Sequence, residues 1–177
     1  INEVKSSIEN LKLDLEACGK NSKVIINGNN VTDAIRSPKV TAIVSEVAKH
    51  NSVREMLTAQ QKQIGITGGL VAEGRDIGTA VFPNAELKIF LTASTAERAR
   101  RRILDLQNQG FEVPDFKELE NQIKKRDEMD SKRSISPLLK APDAKELVTD
   151  GMNIEEVINQ IEQLFRQKVP EEVWPTP

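Results

Sequence analysis

The spacing of apolar positions along the chain changes near residue 63. Before it, Val4, Ile8, Leu11 and Leu15 recur at helical spacing, which predicts a helix over residues 3–17. The stretch "KVIINGNNVTDAIRS" follows, in which Lys23–Asn27 and the region around Val31 read as a small hairpin around Gly28–Asn30. Pro38 opens a helical region that reaches Gln63, with a break near His50–Ser52. This first part is mostly helix with a minor hairpin, and it is rather polar.

From Gly65 the pattern alternates between short apolar runs and amphipathic stretches. Leu70–Glu73, Leu87–Leu91 and Leu147–Thr149 read as strands. Ser94 stands three residues before Glu97, a capping-box spacing that opens a helix with Ala99, Ile103 and Leu106 on one stripe, ending near Gly110. Asp115 and Glu118 repeat the signal for a helix with Leu119 and Ile123 inward. Asn153 and Glu156 open the last helix, in which Ile154, Val157, Ile158, Ile161, Leu164 and Phe165 fit a 3.6-residue period. The tail "VPEEVWPTP" is Pro-rich and ends the fold, and no internal repeat is visible. Strands alternating with helices predict an α/β domain with a parallel sheet. Three strands are few for one, and the central strand that organises such a sheet is not among them.

Composition narrows the classes. The 177 residues suffice for one domain with a core, or one domain plus a small insert. With 25 basic and 27 acidic residues the net charge is −2, so no global field recruits nucleic acid or an anionic membrane, and any anion site is local. Cys18 is the only cysteine, which excludes an intrachain disulfide and points to a reducing, cytoplasmic setting. No apolar run approaches the ~20 residues that span a bilayer, and no signal-peptide pattern opens the chain. One histidine, His50, and one cysteine do not make a structural zinc site. The lack of tyrosine argues against a stacking platform for single-stranded nucleic acid.

Three constellations carry possible chemistry. Arg75 and Asp76, between Gly74 and Gly78, follow a strand at its carboxyl end, where open α/β sheets bind ligands. They form either a local salt bridge in a surface turn or two contacts to one ligand, since arginine matches phosphate bidentately and aspartate accepts from an amine or hydroxyl. In "KKRDEMDSKRSISP", Arg126, Asp130 and Arg133 share one helix face that continues the inward Leu119/Ile123 stripe. Two arginines around one carboxylate make sense around an anion; the plainer alternative is a solvated helix end with intrahelical pairs. In "ERARRR", Arg98, Arg101 and Arg102 lie opposite the apolar stripe and form either a polyphosphate clamp on a closing lid or an ordinary basic face. No P-loop is present: at the only Gly-Lys pair, Gly19–Lys20, Asp14 stands where the first glycine belongs and Asn21 where the hydroxyl belongs. No G-x-S-x-G elbow is present either.

Taken together, "EGRDIGTAVFPNAELKIFLTASTAERARRR" and "KKRDEMDSKRSISPL" resemble bacterial cytidylate kinase, collinearly from about Val24 to Lys168. The resemblance implies a P-loop nucleoside monophosphate kinase core with flanking helices, a lid, and a large insert in the monophosphate-binding region. Residues 1–63 resemble that insert and residues 64–177 the core and lid. It implies phosphorylation of CMP and dCMP by ATP with Mg²⁺, in a cytoplasmic monomer that binds neither nucleic acid nor membrane. It makes Ser45, Arg54 and Asp76 the cytosine readers, Arg75 and Arg133 the holders of the acceptor phosphate, and Arg126 and Asp130 the holders of the sugar hydroxyls. Arg75, Arg126 and Arg133 thereby become the catalytic group. Arg36 matches an insert arginine, and Arg98, Arg101 and Arg102 belong to the lid over ATP. No metal ligand is expected here, because the P-loop segment and its strand have no counterpart in the chain. The expectation is therefore a carboxyl-terminal portion of a longer kinase, inactive alone, in a lineage where the kinase can be fused behind a pantoate–β-alanine ligase. The alternatives are a kinase for another nucleoside monophosphate, a non-catalytic nucleotide-binding fragment, and an RNA-binding module, which the charge and the scarcity of aromatics disfavour.

Overall fold

A computed structural model describes residues 11–18 and 21–173, which fall into two compact units divided between Leu70 and Val71.

Among the described residues, the first unit holds an antiparallel sheet and two α-helices. Strand β1 (Leu13–Cys18) pairs with β2 (Asn21–Ile26), which pairs with β3 (Asn29–Asn30). The turn between β2 and β3 is Asn27–Gly28, both with positive φ (49° and 78°), the backbone that a two-residue hairpin requires. Asn27 also ties down the start of β1, its side chain accepting from the Lys12 amide at 2.8 Å. After a single 3₁₀ turn (Ala34–Arg36) come α1 (Pro38–Val47), capped by the Ser37 hydroxyl, and α2 (Asn51–Ile64).

β1 corrects the sequence reading. The predicted helix over 3–17 lies partly outside the described residues, and where it can be compared, from Leu13 onward, the chain is a strand. Leu11, Leu13, Leu15 and Ala17 also alternate with polar residues, so this run carries a period of two as well as a helical one. The register Leu13↔Ile26 to Cys18↔Asn21 decides between them, because pairing with β2 satisfies backbone groups that helical spacing cannot foresee.

The second unit is a parallel pair of strands with three helices: β4 (Ile89–Thr92), α3 (Thr95–Asn108), α4 (Phe116–Lys132), β5 (Lys145–Val148) and α5 (Ile154–Lys168). The caps fall where the sequence puts them. Ser94 accepts from the Glu97 amide, Asp115 from Lys117 and Glu118, and Asn153 and Glu156 form a full capping box. Ala99, Leu106, Leu119 and Leu147 are buried with Val81 and Ala141.

One expectation fails here. Leu70–Glu73 is not a strand, so among the described residues the parallel sheet has two strands rather than three. A strand exists only through its ladder partner, and this segment has none there; Val71 is 99% exposed. On α5 the apolar stripe is incomplete as a buried face, with Ile154 78% exposed and Ile158 also exposed. Periodicity gives a helix its apolar face but not the surface that covers it.

Candidate functional site

The segment after Val71 places Arg75 and Asp76 at the start of a single π-helical turn, Ile77–Val81. The Asp76 carbonyl accepts from the amides of Thr79, Ala80 and Val81, which fixes the backbone of that residue. Gly74 makes the turn possible. A Cβ there would lie 2.7 Å from Ile77 Cγ1, closer than a side chain tolerates.

Arg126, Asp130 and Arg133 come from the last two turns of α4 and its C-cap, on the face that continues Leu119 and Ile123. Inward orientation is what the spacing predicts, and Asp130 is buried. Around it stand three guanidinium groups. Arg75 Nε donates to Asp130 Oδ2 at 3.2 Å, Arg126 Nε lies 3.9 Å from the same oxygen, and Arg133 Nη1 lies 4.0 Å from Oδ1. Arg133 Nη2 lies 3.7 Å from Asp76 Oδ1. The structure thus gathers Arg75, Asp76, Arg126, Asp130 and Arg133 into one cluster, three cations against two carboxylates.

The cluster is electrostatically crowded. The Arg133 side chain is only 4% exposed, whereas Arg75 is 41% exposed and forms the open side. Burial pulls the Arg133 guanidinium below its ordinary pKa and Arg75 adds to this, with Asp130 opposing. Arg126 is lowered first by burial, then by Arg75, and also by Arg102, against Asp130 and Asp127. Arg126 Nε and Arg133 Nη2 are buried and make no hydrogen bond among the described residues. Buried cationic donors without such bonds are costly, and an anion with several acceptor oxygens removes the cost.

The arginines of α3 are arranged differently. Arg98 makes a two-pronged pair with Asp127 of α4 (3.0 and 2.6 Å) and donates from Nε to the Ala93 carbonyl. Arg101 bonds Glu97, the Thr149 hydroxyl and the Thr149 and Met152 carbonyls, tying α3 to the loop after β5. Both are half-buried rather than on the open basic face that their spacing suggests. Arg102 is half-buried as well and is the member of the triple whose charge acts on Arg126.

The remaining predicted residues belong to the first unit: Ser45 is buried on α1, Arg54 is half-buried on α2, and Arg36 is exposed at the end of the 3₁₀ turn. Sequence reasoning overlooked Asp127 and Thr149, the partners of Arg98 and Arg101; at separations of 29 and 48 residues nothing in the pattern announces them. Among the described residues no three His, Cys, Asp or Glu side chains gather as a metal site. No helix among them is long and apolar enough to cross a membrane.

The family model for cytidylate kinase matches residues 1–167. The chain is 65% identical over 175 residues to a bifunctional pantoate ligase/cytidylate kinase of Prochlorococcus marinus (strain MIT 9303), covering 98% of this chain and 36% of that protein. It is 60% identical over 171 residues to a protein of the same description from Synechococcus sp. (strain CC9311), covering 96% and 35%. The chain therefore spans about a third of the length of these relatives. A buried arginine–aspartate cluster suited to an anion and a family match along nearly the whole chain lead to one assignment: this chain belongs to the cytidylate kinase family.

Proposed function

We propose that this chain supplies the CMP-binding and lid parts of an enzyme that transfers the γ-phosphate of ATP to CMP or dCMP. The observation that carries the reading is Arg133, a nearly buried guanidinium whose carboxylate neighbours stand at 3.7 and 4.0 Å, beyond hydrogen-bond reach. Such loose ion pairs exchange readily for a phosphate that accepts directly.

Arg133 and Arg75 hold the acceptor phosphate, and Arg126 with Asp130 holds the sugar hydroxyls. Asp76, Ser45 and Arg54 keep the roles of cytosine readers that the family resemblance implies: the exocyclic amine of the base asks for an acceptor, its ring nitrogen and carbonyl for a donor. A base with the reversed pattern leaves buried groups unpaired, which is the basis of discrimination. Transfer through a loose transition state needs positioning and neutralisation of spread charge rather than a protein nucleophile. Mg²⁺ bound with ATP supplies further neutralisation of the phosphates, and no described residue is assigned to hold it. Arg102 of α3 reaches toward ATP as part of the lid. The same role for Arg98 and Arg101 requires them to give up their present bonds as the lid closes. The relatives' names suggest a second enzyme activity on the same polypeptide, and a cytoplasmic setting fits the single cysteine.

In the full-length protein, Arg133→Ala weakens CMP binding by about 10- to 100-fold, the scale of one lost charge-assisted contact. Calorimetry measures this, and an unchanged affinity refutes the phosphate role. Asp76→Ala weakens CMP by about tenfold or more while leaving ATP within about twofold. Equal losses for both nucleotides refute its role as a base reader.

A further inference from the structure

The two carboxylates nearest Arg133 are too distant to fix the plane of its guanidinium, yet that plane decides which nitrogens meet a ligand. One hydrogen bond does fix it: Arg133 Nε donates to the main-chain carbonyl of Ser136.

That carbonyl reaches Arg133 because the chain reverses. α4 ends at Lys132, and Arg133, its C-cap, is extended (φ −66°, ψ 143°). Five residues later the Leu138 amide donates to the Asp130 carbonyl at 2.8 Å, drawing residues 134–137 back over the helix end. Within this reversal Ser136 has φ 47°. Among the described residues only it and Asn27 adopt positive φ without being glycine. Asn27 sits in a hairpin turn, where asparagine is at home. Ser136 has no such excuse, and it precedes Pro137, which restricts its backbone further. A residue held in a sparsely populated conformation beside a functional arginine is a signature of positioning.

We propose that Ser136 is a positioning residue. Its left-handed backbone holds its carbonyl on Arg133 Nε and so aims Nη1 and Nη2, end-on, at the acceptor phosphate. The inference rests on the phosphate-binding role of Arg133. The serine hydroxyl has no part in it; what matters is a residue that tolerates φ near 47°.

The test is a variant series in the full-length protein, with CMP affinity read by calorimetry. Ser136→Val, whose β-branch disfavours positive φ, weakens CMP by about tenfold. Ser136→Gly and Ser136→Asn, which accept that backbone, stay within about threefold of wild type. In an Arg133→Ala background Ser136→Val has no further effect, because the group it aims is gone. Wild-type affinity in Ser136→Val, or an equal loss with and without Arg133, overturns the proposal while leaving the role of Arg133 intact. If Arg133→Ala alone leaves CMP affinity unchanged, the phosphate reading fails first and the proposal falls with it. Should Ser136→Val not fold, the Arg133 Nε–H resonance of the wild-type protein decides. Slow solvent exchange, kept in Ser136→Gly, supports the proposal; exchange as fast as that of exposed arginines overturns it.

Discussion

Two sets of arginines in the second unit differ in how their donors are used. On α3, Arg98 and Arg101 each donate from all three side-chain nitrogens, to a two-pronged carboxylate and a carbonyl for one and to a carboxylate, a hydroxyl and carbonyls for the other. Around Asp130, Arg126 and Arg133 keep buried donors without a hydrogen bond among the described residues and crowd together with Arg75. Both pairs are arginines on one face of a helix or at its end, three residues apart in the first place and seven in the second. The first set has the geometry of a brace between α3, α4 and the loop after β5. The second is the cluster proposed to hold the acceptor nucleotide. Satisfaction of donors, more than the presence of charge, separates an arginine that holds a fold from one that holds a ligand.

That contrast can be broken by experiment. The largest expected effect is on activity. Arg126→Ala in the full-length protein lowers the rate of CMP phosphorylation by about 100-fold, the scale of an acceptor left misplaced when a contact to its sugar is lost. Its thermal midpoint moves by less than about 2 °C, because the deletion also relieves like-charge crowding with Arg75 and Arg102. A stable variant with normal steady-state kinetics would return Arg126 to the surface-pair reading.

Arg98→Ala should behave in the opposite way. It strands a half-buried Asp127 carboxylate and removes a bond to the Ala93 carbonyl, at a cost of about 2 kcal/mol. Thermal denaturation should show a midpoint about 5 °C lower, with CMP affinity within about twofold of wild type. Loss of CMP binding without loss of stability would erase the distinction between the two sets.

The smallest effect concerns a pair outside both. Lys88 bonds Asp143 at 2.8 Å and the Pro83 carbonyl, joining the start of β4 to the loop before β5. Hydrogen bonds from Lys88 hold the Asp143 carboxyl below its usual range. A carboxylate with a lowered folded pKa stabilises the fold above its unfolded value and loses that contribution as the pH falls through the folded one. Asp143→Asn should therefore lower the midpoint by no more than about 2 °C at pH 7, and the difference should shrink as the pH falls below the ordinary aspartate range. A difference that persists in acid would mean that Asp143 acts through packing.

Legibility in the sequence followed the range of the interaction. The starts of α3, α4 and α5 were readable because a cap and the amide it binds lie within three residues. The shared face of Arg126, Asp130 and Arg133 was readable for the same reason. The convergence of Arg75 and Asp76 on that face entered only through resemblance, since 55 residues separate Arg75 from Asp130. The strand at Leu13–Cys18 and the absence of one at 70–73 were not readable, because a strand belongs to a pairing rather than to a segment.

By itself the sequence determined the helices from Pro38 onward, the inward carboxylate at Asp130 and the family, all of which rest on local spacing or on motifs. Only the tertiary structure decided which arginines are braced and which are crowded, and that a carbonyl at Ser136 aims Arg133. Those outcomes depend on which donors meet which acceptors after the chain has folded back, and that is a property of distance in space.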